Sequence, residues 1–160
     1  LNIRVGFGFD VHRLGEGYPL WLGGIRLEHQ KGAIGHSDAD VLIHAICDAL
    51  LGAANLGDIG VHFPDTSAEF KGIDSKILLK RTVALITEKG YRIGNIDTAL
   101  CLERPKIKPH IPQMQKVLAD TMGISEHDIS IKATTNEKMG YVGREEGVCA
   151  YAVALIEKIP

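Results

Sequence analysis

Ile3-Arg4-Val5-Gly6-Phe7-Gly8-Phe9-Asp10-Val11-His12 decides how the rest of the chain is read. Ile3, Val5, Phe7, Phe9 and Val11 alternate with Arg4, Gly6, Gly8, Asp10 and His12. Strand side chains have a period of two, so the segment predicts a β-strand whose apolar set faces a core. Asp10 and His12 then share the opposite face, beside glycines that leave room for something else. His44, on a later segment, can answer them. One carboxylate and two imidazoles would make an open zinc site with one position left for substrate.

Outward from this strand the patterns alternate between strand and helix. Residues 15–17 predict a turn, and Trp21 to Leu27, with Gly23-Gly24 at its centre, a hairpin. Residues 31–38 read as a polar, glycine-containing loop. Val41, Leu42, Ala45, Ile46, Ala49, Leu50 and Ala53 form one apolar stripe, which predicts a helix over 40–54. A long Gly/Asp/Pro-rich loop follows over 57–72, a length often kept for function. A second helix is expected from a cap at Asp74 to about Lys89, and a third from about Ile111 to Met122, closed by Gly123. Residues 96–102 and 129–133 alternate as strands. Residues 148–156 are apolar on both faces, as in a central strand. With no repeat or linker, this is one α+β domain over 1–160.

At 160 residues and a net charge of −2, with scattered lysines and arginines, the chain offers no nucleic-acid tract or basic membrane face. No spanning apolar run or signal peptide is read. Cys47, Cys101 and Cys149 lie far apart in apolar segments and read as buried hydrophobes of a reducing compartment. The expected setting is the bacterial cytoplasm; the mature form of a plastid protein stays open.

Several segments could carry chemistry. Asp40, His44 and Asp48, four residues apart, form a polar ridge. A metal-bound imidazole usually donates its other N–H to a carboxylate, and Asp40 or Asp48 could serve. The same spacing suits the wet face of a surface helix. His36-Ser37-Asp38 precedes that helix, where free amides favour an anion. Ser37 or Asp38 could equally cap the first turn, whereas His36 has no capping role. Thr134, Thr135 and Asn136 could hold phosphate oxygens and Glu137 a hard cation, although turn chemistry favours these residue types too. Arg104 to Pro109 is a stiff basic loop able to contact a base or phosphates, or a proline-directed turn into a helix.

Taken together, these motifs resemble one family. Phe9-Asp10-Val11-His12, His36-Ser37-Asp38-Ala39-Asp40-Val41 with His44, and Leu56-Gly57-Asp58-Ile59-Gly60 are similar to 2-C-methyl-D-erythritol 2,4-cyclodiphosphate synthases. Phe63-Pro64-Asp65-Thr66, Pro105-Lys106, Pro109-His110-Ile111-Pro112, Lys132-Ala133-Thr134-Thr135 and Gly143-Arg144 continue the likeness in order across nearly the whole chain.

The resemblance implies an enzyme of the non-mevalonate isoprenoid pathway, a phosphorus–oxygen lyase. Its substrate is 4-diphosphocytidyl-2-C-methyl-D-erythritol 2-phosphate, whose 2-phosphate attacks the β-phosphorus and releases CMP. It implies a mixed β-sheet covered by about three helices on one face, in a homotrimer with active sites between subunits. Zn²⁺ would be held by Asp10, His12 and His44, and a second ion, Mg²⁺ or Mn²⁺, near Glu137. His36 and Thr135 match transition-state stabilisers. Substrate contacts are implied for Asp10, His12, His36, Ser37, Asp58, Ile59, Gly60, Phe63 and Asp65 around the methylerythritol and its phosphate. Leu102, Pro105, Lys106, Ile107, Lys108, Thr134, Thr135 and Glu137 would meet the cytidine diphosphate. Tyr141 and Arg144 are implied as substrate contacts too, and their neighbourhood borders an axial cavity able to take isoprenoid diphosphates. Three positions depart from the family pattern: Lys108 in place of a small or apolar residue, Tyr141 in place of Phe, and Glu145 in place of Gly. Two other readings compete: a different metal-dependent phosphoesterase, and a non-catalytic trimer that binds isoprenoid diphosphates.

Overall fold

In the computed structural model, which describes residues 1–160, the opening segment is strand β1 (Ile3–Glu16). It pairs antiparallel with β7 (Gly147–Lys158) and, at its far end, with β4 (Lys31–Ile34). β7 pairs antiparallel with β5 (Tyr91–Cys101), which runs parallel to β6 (Ile129–Thr134). The five strands form one mixed sheet in the order β4-β1-β7-β5-β6, with β7 central as expected. β2 (Leu20–Leu22) and β3 (Ile25–Leu27) make the separate hairpin. Gly23 and Gly24 take φ of 60° and 79°, the left-handed values that its two-residue turn demands.

Three helices cover one face: α1 (Val41–Ala53) lies on β1 and β7, α2 (Ser75–Glu88) beside α1, and α3 (Ile111–Met122) against β6. Their starts and stops follow the expected signals. Asp74 accepts the Lys76 N–H to cap α2, and Gly123, at φ 69°, ends α3. One continuous core joins Leu42, Ile46 and Leu50 of α1 to Leu79, Ile86, Met114 and Leu118 of the other helices.

The face assignment of β1 is reversed from the sequence expectation. Val5, Phe7, Phe9 and Val11 are exposed, and the buried face is that of Gly6 and Gly8. A Cβ at Gly6 would come within 1.9 Å of the Ala49 carbonyl oxygen, and one at Gly8 within 1.9 Å of that of Ala45. What the glycines leave room for is therefore the backbone of α1. Alternation separates two faces but does not say which is covered; the size of the facing residues decides that. β7 follows the same rule: Ala150, Ala152 and Ala154 are buried under α1, while Tyr151 and Val153 lie exposed beside Phe7 and Phe9.

Two expected loops are partly ordered. Residues 31–34 are strand β4, recruited by the long β1 through main-chain pairing that side-chain pattern does not report. The 57–72 segment contains a helical turn, Ile59–His62, and a 3₁₀ turn, Ala68–Phe70. Cys47, Cys101 and Cys149 are buried free thiols. No helix is long and apolar enough to cross a membrane.

Candidate active site

The close approach of α1 to β1 brings three ligand atoms together. Asp10 Oδ2 lies 2.9 Å from His12 Nε2 and 3.0 Å from His44 Nδ1, and the two imidazole nitrogens are 3.2 Å apart. A tetrahedral zinc with bonds of about 2.05 Å sets its ligand atoms about 3.3 Å apart, so a spread of a few tenths of an ångström would admit one. Burial would raise the Asp10 carboxyl, but hydrogen bonds and charge from His12 and His44 outweigh it and lower it to about 2. Burial opposes charge on His12 as well, and contact with Asp10 raises its pKa nonetheless.

The outer nitrogens are also engaged. His12 Nδ1 faces the Ile34 carbonyl at 3.2 Å, and His44 Nε2 faces the hydroxyls of Ser75 at 2.9 Å and Ser37 at 3.2 Å. Ser75 Oγ in turn donates to Asp38 Oδ1, while the Ser75 N–H donates to Asp38 Oδ2 at 2.9 Å. With both outer nitrogens provided for and both inner ones convergent with a carboxylate, the donor set fits a divalent ion with an open position.

This arrangement corrects the expected roles of Asp40 and Asp48. Asp40 is the buried cap of α1 and accepts N–H groups from Ile43, Gly23 and Gly24 at 3.1, 3.0 and 2.8 Å. Its non-helical backbone turns the carboxylate onto the first-turn amides and away from the ridge. Asp48 accepts the Ile59 N–H at 2.8 Å, tying α1 to the next loop. Neither bonds His44, and α1 is buried where a wet face was the other reading. Asp38, a candidate cap for α1, instead holds the start of α2 through Ser75.

His12 and His44 open into a cavity of about 570 Å³ lined also by His36, Ser37, Ile59, Gly60, Phe63 and Asp65. That size suits a small metabolite. His36 Nε2 contacts the Ser67 carbonyl at 2.8 Å, and Asp58 caps the Ile59–His62 turn by accepting the Val61 N–H at 3.0 Å. A second, separate cleft opens at the carboxyl ends of β5 and β6, between Leu102, Pro105, Lys106, Ile107 and Lys108 on one loop and Thr134 and Thr135 on the other. Parallel neighbours commonly place ligands at this end.

The sequence matches the YgbB family model over residues 3–157. This chain belongs to the YgbB family. It is 70% identical to the 2-C-methyl-D-erythritol 2,4-cyclodiphosphate synthase of Bacteroides thetaiotaomicron, over 99% of both chains. The bifunctional IspDF of Campylobacter jejuni superposes with a TM-score of 0.95 at 42% identity, covering 98% of this chain and 42% of that longer one. A 2C-methyl-D-erythritol-2,4-cyclodiphosphate synthase solved in a CDP-bound form gives 0.89 at 37% identity, covering 96% of this chain and 100% of that one.

Within this YgbB chain the expected site residues fall into separate groups. Asp10, His12 and His44 converge with each other, but Glu137 is not among them. Tyr141 borders a third groove together with His12, and the Arg144 guanidinium is paired with Glu146 at 3.1 Å. Ser75, and the Asp38 carboxylate behind it, were missed as partners of His44. Ser75 carries no motif of its own, because it comes to His44 only through the packing of α2 on α1.

Proposed function

We propose that this chain is a metal-dependent 2-C-methyl-D-erythritol 2,4-cyclodiphosphate synthase, a phosphorus–oxygen lyase of the non-mevalonate isoprenoid pathway acting in the bacterial cytoplasm. Its substrate is 4-diphosphocytidyl-2-C-methyl-D-erythritol 2-phosphate. An oxygen of the 2-phosphate attacks the β-phosphorus, the bond from that phosphorus to the bridging oxygen breaks, and CMP leaves with that oxygen and its electron pair. The observation that carries this reading is the convergence of Asp10, His12 and His44 in a chain so close to known synthases.

Zn²⁺ held by Asp10, His12 and His44, and Mg²⁺ or Mn²⁺ held near Glu137, would supply the positive charge that lets two phosphates approach. The remaining work is positional. His36, fixed through Ser67, leaves its other ring nitrogen for a phosphate oxygen. Ser37, Ile59, Gly60, Phe63 and Asp65 enclose the methylerythritol and its phosphate, and Asp58 fixes the turn that carries Ile59 and Gly60. Leu102, Pro105, Lys106, Ile107 and Lys108 take the cytidine diphosphate, with Thr134, and Thr135 stabilises charge at the transferred phosphoryl group.

Two features support a homotrimer with sites between subunits. The exposed apolar face of β1 and β7 is the kind of surface a neighbouring copy covers. The metal-side cavity and the β5–β6 cleft share no lining residue, so the two parts of a substrate site need not come from one copy. In such an assembly Tyr141 and Arg144 would border the axial cavity, and an isoprenoid diphosphate there would compete with Glu146 for Arg144.

The test is turnover of the cytidyl substrate by metal-replete protein, followed by phosphorus NMR with and without a chelator. The reading expects CMP and a cyclic diphosphate, both lost on chelation. A linear phosphate product would instead make the chain a phosphoesterase. Zinc and CDP binding without turnover would make it a binding module.

A further inference from the structure

Two loops leave the carboxyl ends of β5 and β6, and a single side chain fastens them together. The last main-chain contact between them is Leu102 N–H donating to the Thr134 carbonyl at 3.1 Å. Beyond it, Glu103 takes over. Its Oε2 accepts the Asn136 N–H at 2.9 Å and its Oε1 accepts the Lys138 N–H at 2.7 Å. Both oxygens of this half-buried carboxylate are thus committed to the backbone of a segment that is exposed throughout.

That segment needs an external hold. Glu137 and Lys138 take φ of 53° and 61°, the left-handed region that non-glycine residues enter only at a steric cost. The N–H groups on either side of Glu137, those of Asn136 and Lys138, both turn toward one carboxylate, that of Glu103. The other restraints are local: the Asn136 side-chain amide donates to the Met139 carbonyl at 3.1 Å, and the Glu137 N–H to Thr135 Oγ1 at 3.3 Å. Only Glu103 ties the turn to the opposite wall of the cleft.

We propose that Glu103 is a positioning residue: its carboxylate presets residues 135–138 against the 102–108 loop, so that Thr135 and Glu137 meet a nucleotide diphosphate without a further ordering cost. The inference rests on the synthase reading and deepens it. Charged acceptors make the stronger hydrogen bonds, and a loop ordered in advance binds without paying for its ordering at that moment.

The test compares Glu103→Ala and Glu103→Gln with the unaltered, metal-replete protein. CDP affinity, KM, kcat and amide hydrogen exchange at Asn136 and Lys138 are measured. Glu103→Ala is expected to weaken CDP binding and raise KM about tenfold, the loss of about 1.4 kcal/mol of preorganisation. Bound substrate can still draw the loop into place, so kcat stays within about twofold, the pattern of lost uniform binding. Exchange at the two amides accelerates, and the melting midpoint barely moves. Glu103→Gln keeps one acceptor oxygen and falls between, at about threefold. It carries the comparison should the alanine variant fold poorly. Unchanged CDP affinity in both variants overturns the inference, whether or not exchange accelerates. Unaltered protein that fails to bind CDP overturns the synthase reading itself, and the inference falls with it.

Discussion

Replacing Gly8 with alanine should both destabilise the chain and open its metal triangle. The new Cβ would sit 1.9 Å from the Ala45 carbonyl oxygen and 2.9 Å from its carbon, both backbone atoms of α1 that no rotamer change can move. Relief requires α1 and β1 to separate by about 1.5 Å, the shortfall from ordinary contact. Overpacking against side chains costs about 1–3 kcal/mol, and a backbone clash belongs at or above the upper end. For a chain of this length a loss of 3 kcal/mol lowers the melting midpoint by roughly 6–12 °C. The same displacement acts on the ligands, because Asp10 and His12 ride on β1 while His44 precedes Ala45 on α1. A zinc site tolerates about 0.2 Å of error, so affinity should fall at least about 100-fold. Differential scanning calorimetry and competition with a zinc chelator read the two effects. Gly52→Ala is the control: nothing lies within 4 Å of its added Cβ, and relief of glycine's entropy cost in α1 should stabilise by about 0.5–1 kcal/mol. If Gly8→Ala keeps both the midpoint and the zinc affinity of the unaltered chain, the glycine is not what sets the distance between strand and helix.

Three further outcomes follow from other parts of the structure. Ser75→Ala removes the 2.9 Å partner of His44 Nε2 and should lower zinc affinity about 10–100-fold, measured by chelator competition, and cost about 1–3 kcal/mol of stability because the buried hydroxyl also serves Asp38; an unaltered affinity would remove Ser75 from the metal centre. Phe7→Glu places a charge in the exposed apolar face and should shift sedimentation from a trimer to a monomer with loss of turnover; an active trimer would show that this face is not the contact between copies. Burial pushes the Cys47 thiol up to about 12 and, with Cys149 beside it, the Cys101 thiol up to about 11. Both stay neutral at pH 8, so iodoacetamide should modify them only after denaturation, as mass spectrometry of the alkylated chain would read. Rapid labelling of the native chain would contradict that burial.

The helices were legible because their signals are local. Asp74 and Gly123 bound α2 and α3 by chemistry confined to a few residues, and the Gly23-Gly24 hairpin is equally self-contained. Strand β4 was not legible: its residues pair through main-chain groups with the far end of β1, and nothing in their side chains reports that partner. The same limit applies to the site. Asp10 and His12 share a strand face by simple periodicity, and His44 was a sound third candidate. Behind His44, Ser75 comes from a helix whose docking no spacing encodes, and Asp38 reaches Ser75 from the loop before α1, so the ridge pattern pointed to Asp40 and Asp48 where packing supplied Ser75 and Asp38.

The inverted faces of β1 connect the fold to its chemistry. Gly6 and Gly8 admit α1 to the sheet at Ala49 and Ala45, and Asp10 and His12 continue the same face of the strand just beyond the point of closest approach. The residue before Ala45 is His44, so the contact that seats the helix also delivers the third ligand. Had the apolar set faced α1, as alternation alone suggested, Phe7 and Phe9 would have held the helix away and the triangle could not close. The large residues instead take the outer face, where β7 sets Tyr151 with its ring 5.1 Å from that of Phe9. One choice of face therefore sets two properties of the chain: a helix close enough to bring the three candidate ligands together, and an apolar surface exposed on the other side. The two should fail separately, Gly8→Ala at the metal and Phe7→Glu at the assembly, because the sheet lies between them.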